Sequence, residues 1–313
     1  MTAALRAEGR PVRVVGRSAE KLAPLVRLGA EPRAGAYSDS AFLEAAFDGA
    51  DMAFVLTPVD VKATDVNAVQ YAVVDALVAA LRASRVRRVV LLSSWGAELT
   101  KQVGGILACH RFEQQLEAVP DMNVVHLRPV WFMENFLFGI PLIRMAGVVG
   151  LAIGSDVRFP MISARDIAPV ATSYLADATF RGKTVRYLNG DRDLTMVEVA
   201  RALGEAVGRP DLGYVEMPLP IFRRGLASGG LTPNAAELLI EINRGIHDGV
   251  VRTEPRDTHN TTPTSIEAFA REVFAPAFAA SPRASVVERA AGVALRSYLA
   301  ATGNRVVRAG AAP

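Results

Sequence analysis

The feature that most constrains this chain is a rhythm in its first half: short runs that are apolar throughout, separated by helix-length segments. Residues 12–15 form a β-branched run after the breaker Gly9-Arg10-Pro11, and Ser18 then opens a helix with Glu20 in its first turn, the order expected of an N-cap. The pattern repeats with helices predicted over 41–47, 65–83 and 106–118 and strands over 52–56, 88–92 and 124–127. A strand without polar alternation is buried on both faces, as in a parallel sheet covered by helices on each side. Repeated units of this length predict an α/β fold with a doubly wound parallel sheet.

The rhythm stops after Pro129. Residues 131–149 are rich in large apolar side chains, Ser163 or Asp166 opens a helix to about Leu175, and 184–188 adds a strand. From Thr195 onward the chain reads as mostly helical, broken at Gly208-Arg209-Pro210, Pro218–Pro220 and Gly229-Gly230. The expected division is therefore a larger α/β domain over 1–135 and 163–190, a smaller lobe over 136–162 and 191–282, and a basic helix and tail over 283–313. The last helix, 285–301, carries Val287, Ala291, Ala294, Leu295 and Tyr298 on one stripe, with Gly303 at its end and frayed residues after it.

With 313 residues, half of them hydrophobic, the chain can bury a large core without metal or disulfide staples. Its one cysteine, Cys109, cannot form an internal disulfide, so a reducing cytoplasm is the expected compartment. No uninterrupted apolar window of about 18 residues and no signal-peptide order occur, so membrane partners are not expected. The net charge of +3 belongs to the end of the chain, where five Arg stand against one Glu from Arg283 onward. A nearly neutral body gives no footprint for nucleic acid.

Five strings, VRVVGRSAEKL, GADMAFVLTP, VVLLSSWGAEL, HLRPVWFMENF and ISARDIAPVA, occur in an order and spacing that resemble the NmrA-like branch of the atypical short-chain dehydrogenase/reductases, over most of residues 3–280. The resemblance implies a Rossmann-type domain that binds NAD(P)(H), with a small-molecule substrate or effector held between it and the smaller lobe. One part of the pattern is missing. The family opens with a strand and a glycine-rich turn that lets backbone meet the pyrophosphate at a helix N-terminus, whereas residues 2–8 resemble the second half of the helix after that turn. Either the start lies further upstream than Met1 or the chain is truly shortened; the intactness of the other motifs favours the first.

Arg17 stands just past the first strand, where an acid would bind the ribose hydroxyl of NAD and a base the 2′-phosphate of NADP. With Ser18 and Lys21 beside it and no acid at the strand end, NADP(H) is the expected cofactor. Ala36 stands where the family usually has an Asp for adenine, while Asp39 suits a helix cap. The resemblance implies that Thr57, Pro58, Ser93 and Ser94 line the cofactor, and that Trp131 and Asn135 lie near the substrate. The family's usual Tyr and Lys, which donate the proton, are absent: no Tyr occurs between Trp95 and Met122, and His110 and Ile106 take their places. Ser93 and His110 are thus the candidate catalytic residues. As a structural residue, His110 would bond a backbone group or Glu113, and Cys109 would be a small core side chain. Asp166 suits a helix cap or a partner of Arg165. These residues suggest an NAD(P)H-dependent oxidoreductase acting on a quinone, enone, imine or azo compound. The alternatives are a non-catalytic dinucleotide sensor or an incomplete member that no longer binds the nucleotide. A homodimer through the last helix is also conceivable, and no metal site has trustworthy ligand spacing.

Overall fold

The computed structural model describes residues 1–309; the tail expected to fray extends beyond them, and residues 310–313 lie outside the described residues. The chain divides into two units, the first comprising Met1–Pro129 and Ile167–Tyr187, the second Val130–Asp166 and the chain from Leu188 onward. Residues 130–135, expected in the larger α/β domain, therefore go with the second unit, because Trp131–Phe132 pairs with the strand Arg158–Ile162 there.

In the first unit the elements run α1 (Thr2–Ala7), β1 (Arg13–Gly16), α2 (Ala19–Val26), β2 (Glu31–Ala34), α3 (Ser40–Phe47), β3 (Met52–Leu56), α4 (Val66–Ala83), β4 (Arg88–Leu92), α5 (Leu107–Glu117) and β5 (Asn123–Pro129). The helices start where the sequence supplies acceptors: Asp39 takes the amide of Phe42 at 3.0 Å and Asp65 that of Ala68 at 2.9 Å. Strand β2 was not expected, since Glu31-Pro32-Arg33-Ala34 is charged, exposed and interrupted by proline; proline is tolerated there because the strand is an edge.

The sheet is split. β1 pairs in parallel with β2 alone, while β3, β4, β5 and the strand Lys183–Leu188 form a separate four-stranded sheet in that order. The chain builds outward from β1 to β2, then returns to build β3, β4 and β5 in succession, so its direction switches between β1 and β3, where among the described residues no hydrogen-bonded strand joins the two pieces. They are still tied together: Arg13 donates to the carbonyls of Ala46 and Asp48 just before β3, and Val15 packs on the core of the larger sheet. That core is made by Leu43 and Phe47 of α3, Val74, Leu77 and Leu81 of α4, Phe112 and Leu116 of α5, and Val89, Leu91 and Val124 of the strands. At roughly 1.5–3 kcal/mol for each fully buried large side chain, this cluster is the main source of cohesion in the unit. Helix α4 is long and apolar enough to cross a membrane by composition, but half of that stretch is buried against this core.

The second unit holds a three-stranded sheet ordered Asp193–Thr195, Arg158–Ile162, Trp131–Phe132, and a parallel pair, Val148–Leu151 with Gly213–Glu216. Its C-terminal helix, Val286–Ala301, begins at a capping box of Ser285 and Glu288. The face that docks differs from the expected stripe. Gly292 meets the backbone of Met145 so closely that a Cβ would stand 2.0 Å from its carbonyl oxygen, and Leu295 and Leu299 follow on the same face. Val287, Ala291, Ala294 and Tyr298 are exposed. Close approach to a helix backbone selected the glycine face over the larger apolar side chains. The segment after Gly303 is also paired, with Val307 exchanging two backbone hydrogen bonds with Tyr214 at 2.9 and 2.8 Å, so residues 304–309 are not frayed.

Candidate functional site

Ligands of open α/β sheets sit beyond the carboxyl ends of the strands, at the point where strand order switches. In the first unit those ends are Gly16 of β1, Leu56-Thr57 after β3 and Leu92-Ser93 after β4. Gly16 has a packing reason: a Cβ there would lie 2.8 Å from Cδ2 of Leu22, so a larger residue would have to displace that buried side chain of α2 from the strand end. The N-terminus of α2 is thereby brought to the sheet edge. Arg17 and Lys21 are exposed there, and among the described residues neither has an ion-pair partner. Ser18 occupies the N-cap position in an extended conformation, yet its hydroxyl makes no cap bond. Two cations and an unspent hydroxyl therefore surround the positive end of a helix dipole, a setting suited to a phosphate. Glu31, the acid of β2, is held by Arg13 at 2.9 Å and Arg33 at 2.5 Å.

The second cluster lies at β3 and β4. The Nε2 of Gln70 donates to Thr57 Oγ1 at 3.4 Å, while the Oε1 of this buried amide has no partner. Ser93 is buried, and its hydroxyl donates to Glu113 Oε1 at 2.5 Å. Arg128 meets Glu113 with a two-pronged contact, Nε at 3.0 Å and Nη2 at 2.5 Å. Its Nη1 reaches Glu98 at 2.8 Å and the hydroxyl of Tyr187 at 2.9 Å, and that hydroxyl donates to Glu98 at 3.1 Å.

Burial opposes the charge of Arg128, but the hydrogen bond and negative charge of Glu113 outweigh it and hold the guanidinium above its ordinary value. Burial also raises the phenol of Tyr187, against the pull of Arg128. The Cys109 thiol is pushed up to about 12 by burial and by the charge of Glu113, with hydrogen bonds from Thr57 and Ser93 acting the other way. At neutral pH it stays a thiol and is no nucleophile.

Of the residues singled out by sequence, the structure thus gathers Arg17, Ser18 and Lys21 at one helix end, and Thr57 and Ser93 around the Cys109 thiol. His110 stands one residue on in α5, with Nδ1 2.8 Å from the carbonyl of Ala97. A carbonyl only accepts, so Nδ1 carries the proton and the neutral ring leaves Nε2 as an acceptor. Pro58 is half-buried beside Thr57, and Ser94 is half-buried after Ser93.

In the second unit, Trp131 is 6% exposed, edge-on to Phe159 with ring centroids 6.2 Å apart, whereas Asn135 is exposed. The carboxylate of Asp166 receives the amide of Thr264 at 2.9 Å and its hydroxyl at 2.6 Å, and, after the hydrogen bond to Glu272, its charge helps hold the Arg165 guanidinium above its ordinary value. Glu134 takes the helix start instead, accepting from the amide of Ala164 at 3.0 Å. Arg128 and Gln70 escaped the sequence reading, and Glu113 entered it only as a partner for His110, which bonds the Ala97 carbonyl instead. Arg128 could have been noticed, because a charge inside an apolar strand needs a buried partner.

A family model described as NAD(P)H-binding matches residues 1–178, and the chain belongs to that family. It is 32% identical over 241 residues to (4-alkanoyl-5-oxo-2,5-dihydrofuran-3-yl)methyl phosphate reductase of Streptomyces griseus subsp. griseus, covering 76% of this chain and 80% of the relative. It is 28% identical over 277 residues to NAD(P)H azoreductase of Xenophilus azovorans, covering 87% and 92%. Its fold matches an NADPH-dependent quinone oxidoreductase of Escherichia coli, solved with NADPH, at a TM-score of 0.73 and 22% identity, covering 87% of this chain and 95% of the other.

The residues present fit two parts of such a nucleotide. Arg17, Ser18 and Lys21 suit a phosphorylated ribose, and the unpartnered Oε1 of Gln70 beside Thr57 is an acceptor awaiting a donor. Among the described residues, no glycine-rich turn enters a helix at the switch between β1 and β3, so they build no cradle for the pyrophosphate.

Proposed function

We propose that this protein is an NADPH-dependent reductase of small, flat, electron-poor molecules of the quinone, enone, imine or azo class, working without a Tyr and Lys pair. The observation that carries the cofactor half is the uncapped N-terminus of α2 flanked by Arg17 and Lys21, neither of them in an ion pair among the described residues, with Glu20 the one carboxylate in that first turn. The reductase half is supported by the two curated relatives, both reductases by name. A bound dinucleotide would supply the hydride. Thr57 and Pro58, with Ser94, would line its inner half.

Ser93 is not free to polarise a carbonyl while its proton is committed to Glu113, so its part is to accept and to hold the end of β4. His110 can release a proton at Nε2 only as the imidazolium, because its Nδ1 proton is bound to Ala97. Solvent would then deliver the proton in its absence. Trp131 and Asn135 are assigned to the substrate side. A single cysteine kept as a thiol suits work in a reducing cytoplasm.

The test is to mix the purified protein with NADPH and a panel of quinones, enones, imines and azo dyes and follow absorbance of the reduced nicotinamide. Oxidation that depends on a panel member supports the reading. Tight NADPH binding with no oxidation across the panel would replace it with a sensor.

A further inference from the structure

The C-terminal helix Val286–Ala301 docks within the second unit through Gly292, Leu295 and Leu299, and its opposite side is left uncovered among the described residues. That side is apolar. Val287, Ala291, Ala294 and Tyr298 follow one another at helical spacing, and Val286, Ala290 and Val293 form a second stripe beside them, all of them exposed. The large ones range from 50% exposed at Tyr298 to 78% at Val287. The helix has three charged residues, and each is spent on backbone of this same chain. Glu288 accepts from the Ser285 amide at 2.7 Å, Arg289 donates to the Ala284 carbonyl at 3.2 Å, and Arg296 to that of Ala146 at 2.6 Å. A surface helix turns its charges to water, whereas one that is apolar all round is covered on every side. A contiguous apolar face of this kind marks an interaction surface.

Its shape suits a second copy of the same helix. The large side chains Val287 and Tyr298 lie towards the two ends, and Ala290, Ala291 and Ala294 fill the middle. In an antiparallel pair with the two-fold axis at Ala294, Tyr298 of each copy meets Ala290 of the other and Val287 meets Ala301, so that large side chains enter small gaps. A parallel pair would set Tyr298 against Tyr298 and hold the alanines apart. The antiparallel arrangement also lays the positive end of each helix dipole beside the negative end of the other. Helices that lie in a lipid surface bury Trp, Phe or Leu there. This face has none of them, while alanine permits close approach of two helices.

We propose that Val286–Ala301 is the contact helix of a homodimer, paired antiparallel with the same helix of a second copy across Ala294. This is independent of the reductase reading. A helix of 16 residues is about 24 Å long. A face of that length and one helix wide falls short of the roughly 800 Å² per partner of a standard interface, which makes the dimer weak and concentration-dependent.

The test is sedimentation of the full chain from about 1 to 300 μM, the range of a weak association. The weight-average mass should climb from 33.4 kDa towards twice that. Ala294→Glu sets two carboxylates against each other at the axis and should raise the dissociation constant at least roughly tenfold. Because Ala294 is exposed, the thermal midpoint of the monomer should not move. Under mild oxidation Ala294→Cys should cross-link to its own copy, whereas Val287→Cys, whose two copies lie about 21 Å apart along the pair, should not. The unmodified protein, with Cys109 alone, is the blank. A monomer at every concentration, a dimer untouched by Ala294→Glu, or cross-linking of Val287→Cys as ready as that of Ala294→Cys would each overturn the proposal. A monomer that instead sediments with phosphatidylglycerol vesicles, and ceases to do so in Ala294→Glu, would assign the face to a membrane surface and overturn it as well.

Discussion

The two pieces of sheet in the first unit differ in what they rest on. The β1–β2 pair has a small core of its own, Val14, Leu22 and Ala30 with Val12 and Leu25 at its margin. The four-stranded sheet is packed by three helices through a large cluster and is braced at its carboxyl edge by Glu113 and Arg128. The thin piece carries the exposed cations Arg17 and Lys21, and the thick piece carries the buried polar network. On the proposed reading, ligand selection and mechanical stability fall on different halves, and a change in one should show little of the other's signature.

The largest effects are expected in the thick half. Phe112→Ala should cost about 3–5 kcal/mol in urea unfolding, against about 2 kcal/mol for Leu22→Ala beside β1; equal costs would erase the contrast. Glu113→Ala should cost about 3–5 kcal/mol as well, since it leaves Arg128 buried without its main partner, and Glu113→Gln should cost less. A Glu113→Ala variant as stable as the parent would show that the network braces nothing.

Next comes Gly16→Ala, whose new methyl meets Leu22 and should cost about 1–3 kcal/mol while weakening NADPH binding through the displaced start of α2. Stability loss without any loss of binding would separate that helix end from the cofactor. The smallest effect concerns Cys109. Its thiol is raised in the folded state, so the folded protein binds that proton more tightly than the unfolded chain does. The resulting stabilisation is complete below the unfolded thiol value and is lost as pH climbs towards about 12. Iodoacetamide at about pH 8.5 should accordingly label the half-buried, raised Cys109 thiol more slowly in the native protein than in urea. Fast labelling of the native protein would contradict the burial.

The contrast also explains what the sequence could and could not reveal. Strands β3 and β4 are legible because Met52–Leu56 and Val89–Leu92 are apolar without interruption, and in β4 both faces are covered, with Val89, Val90 and Leu91 buried in succession. β2 is not, because an exposed edge imposes no pattern on Glu31-Pro32-Arg33-Ala34. The cation cluster at α2 could be anticipated since its members are neighbours in sequence. Glu113 and Arg128 are 15 residues apart on a helix and a strand, and Asp166 and Thr264 are separated by 98, so their pairing exists only once the chain has folded. The docking face of the last helix was misjudged for a related reason: hydrophobicity favours Val287 and Tyr298, but close helix contact favours Gly292.

The central claim is that Arg17 and its neighbours choose the cofactor, and a titration of the unmodified protein and Arg17→Asp with NADPH and NADH tests it most directly. The expected result is tighter binding of NADPH than of NADH by the unmodified protein, and a reversal or levelling in Arg17→Asp with unfolding free energy unchanged within about 0.5 kcal/mol. Equal affinity of the unmodified protein for the two dinucleotides, or an unaltered preference in Arg17→Asp, would contradict it.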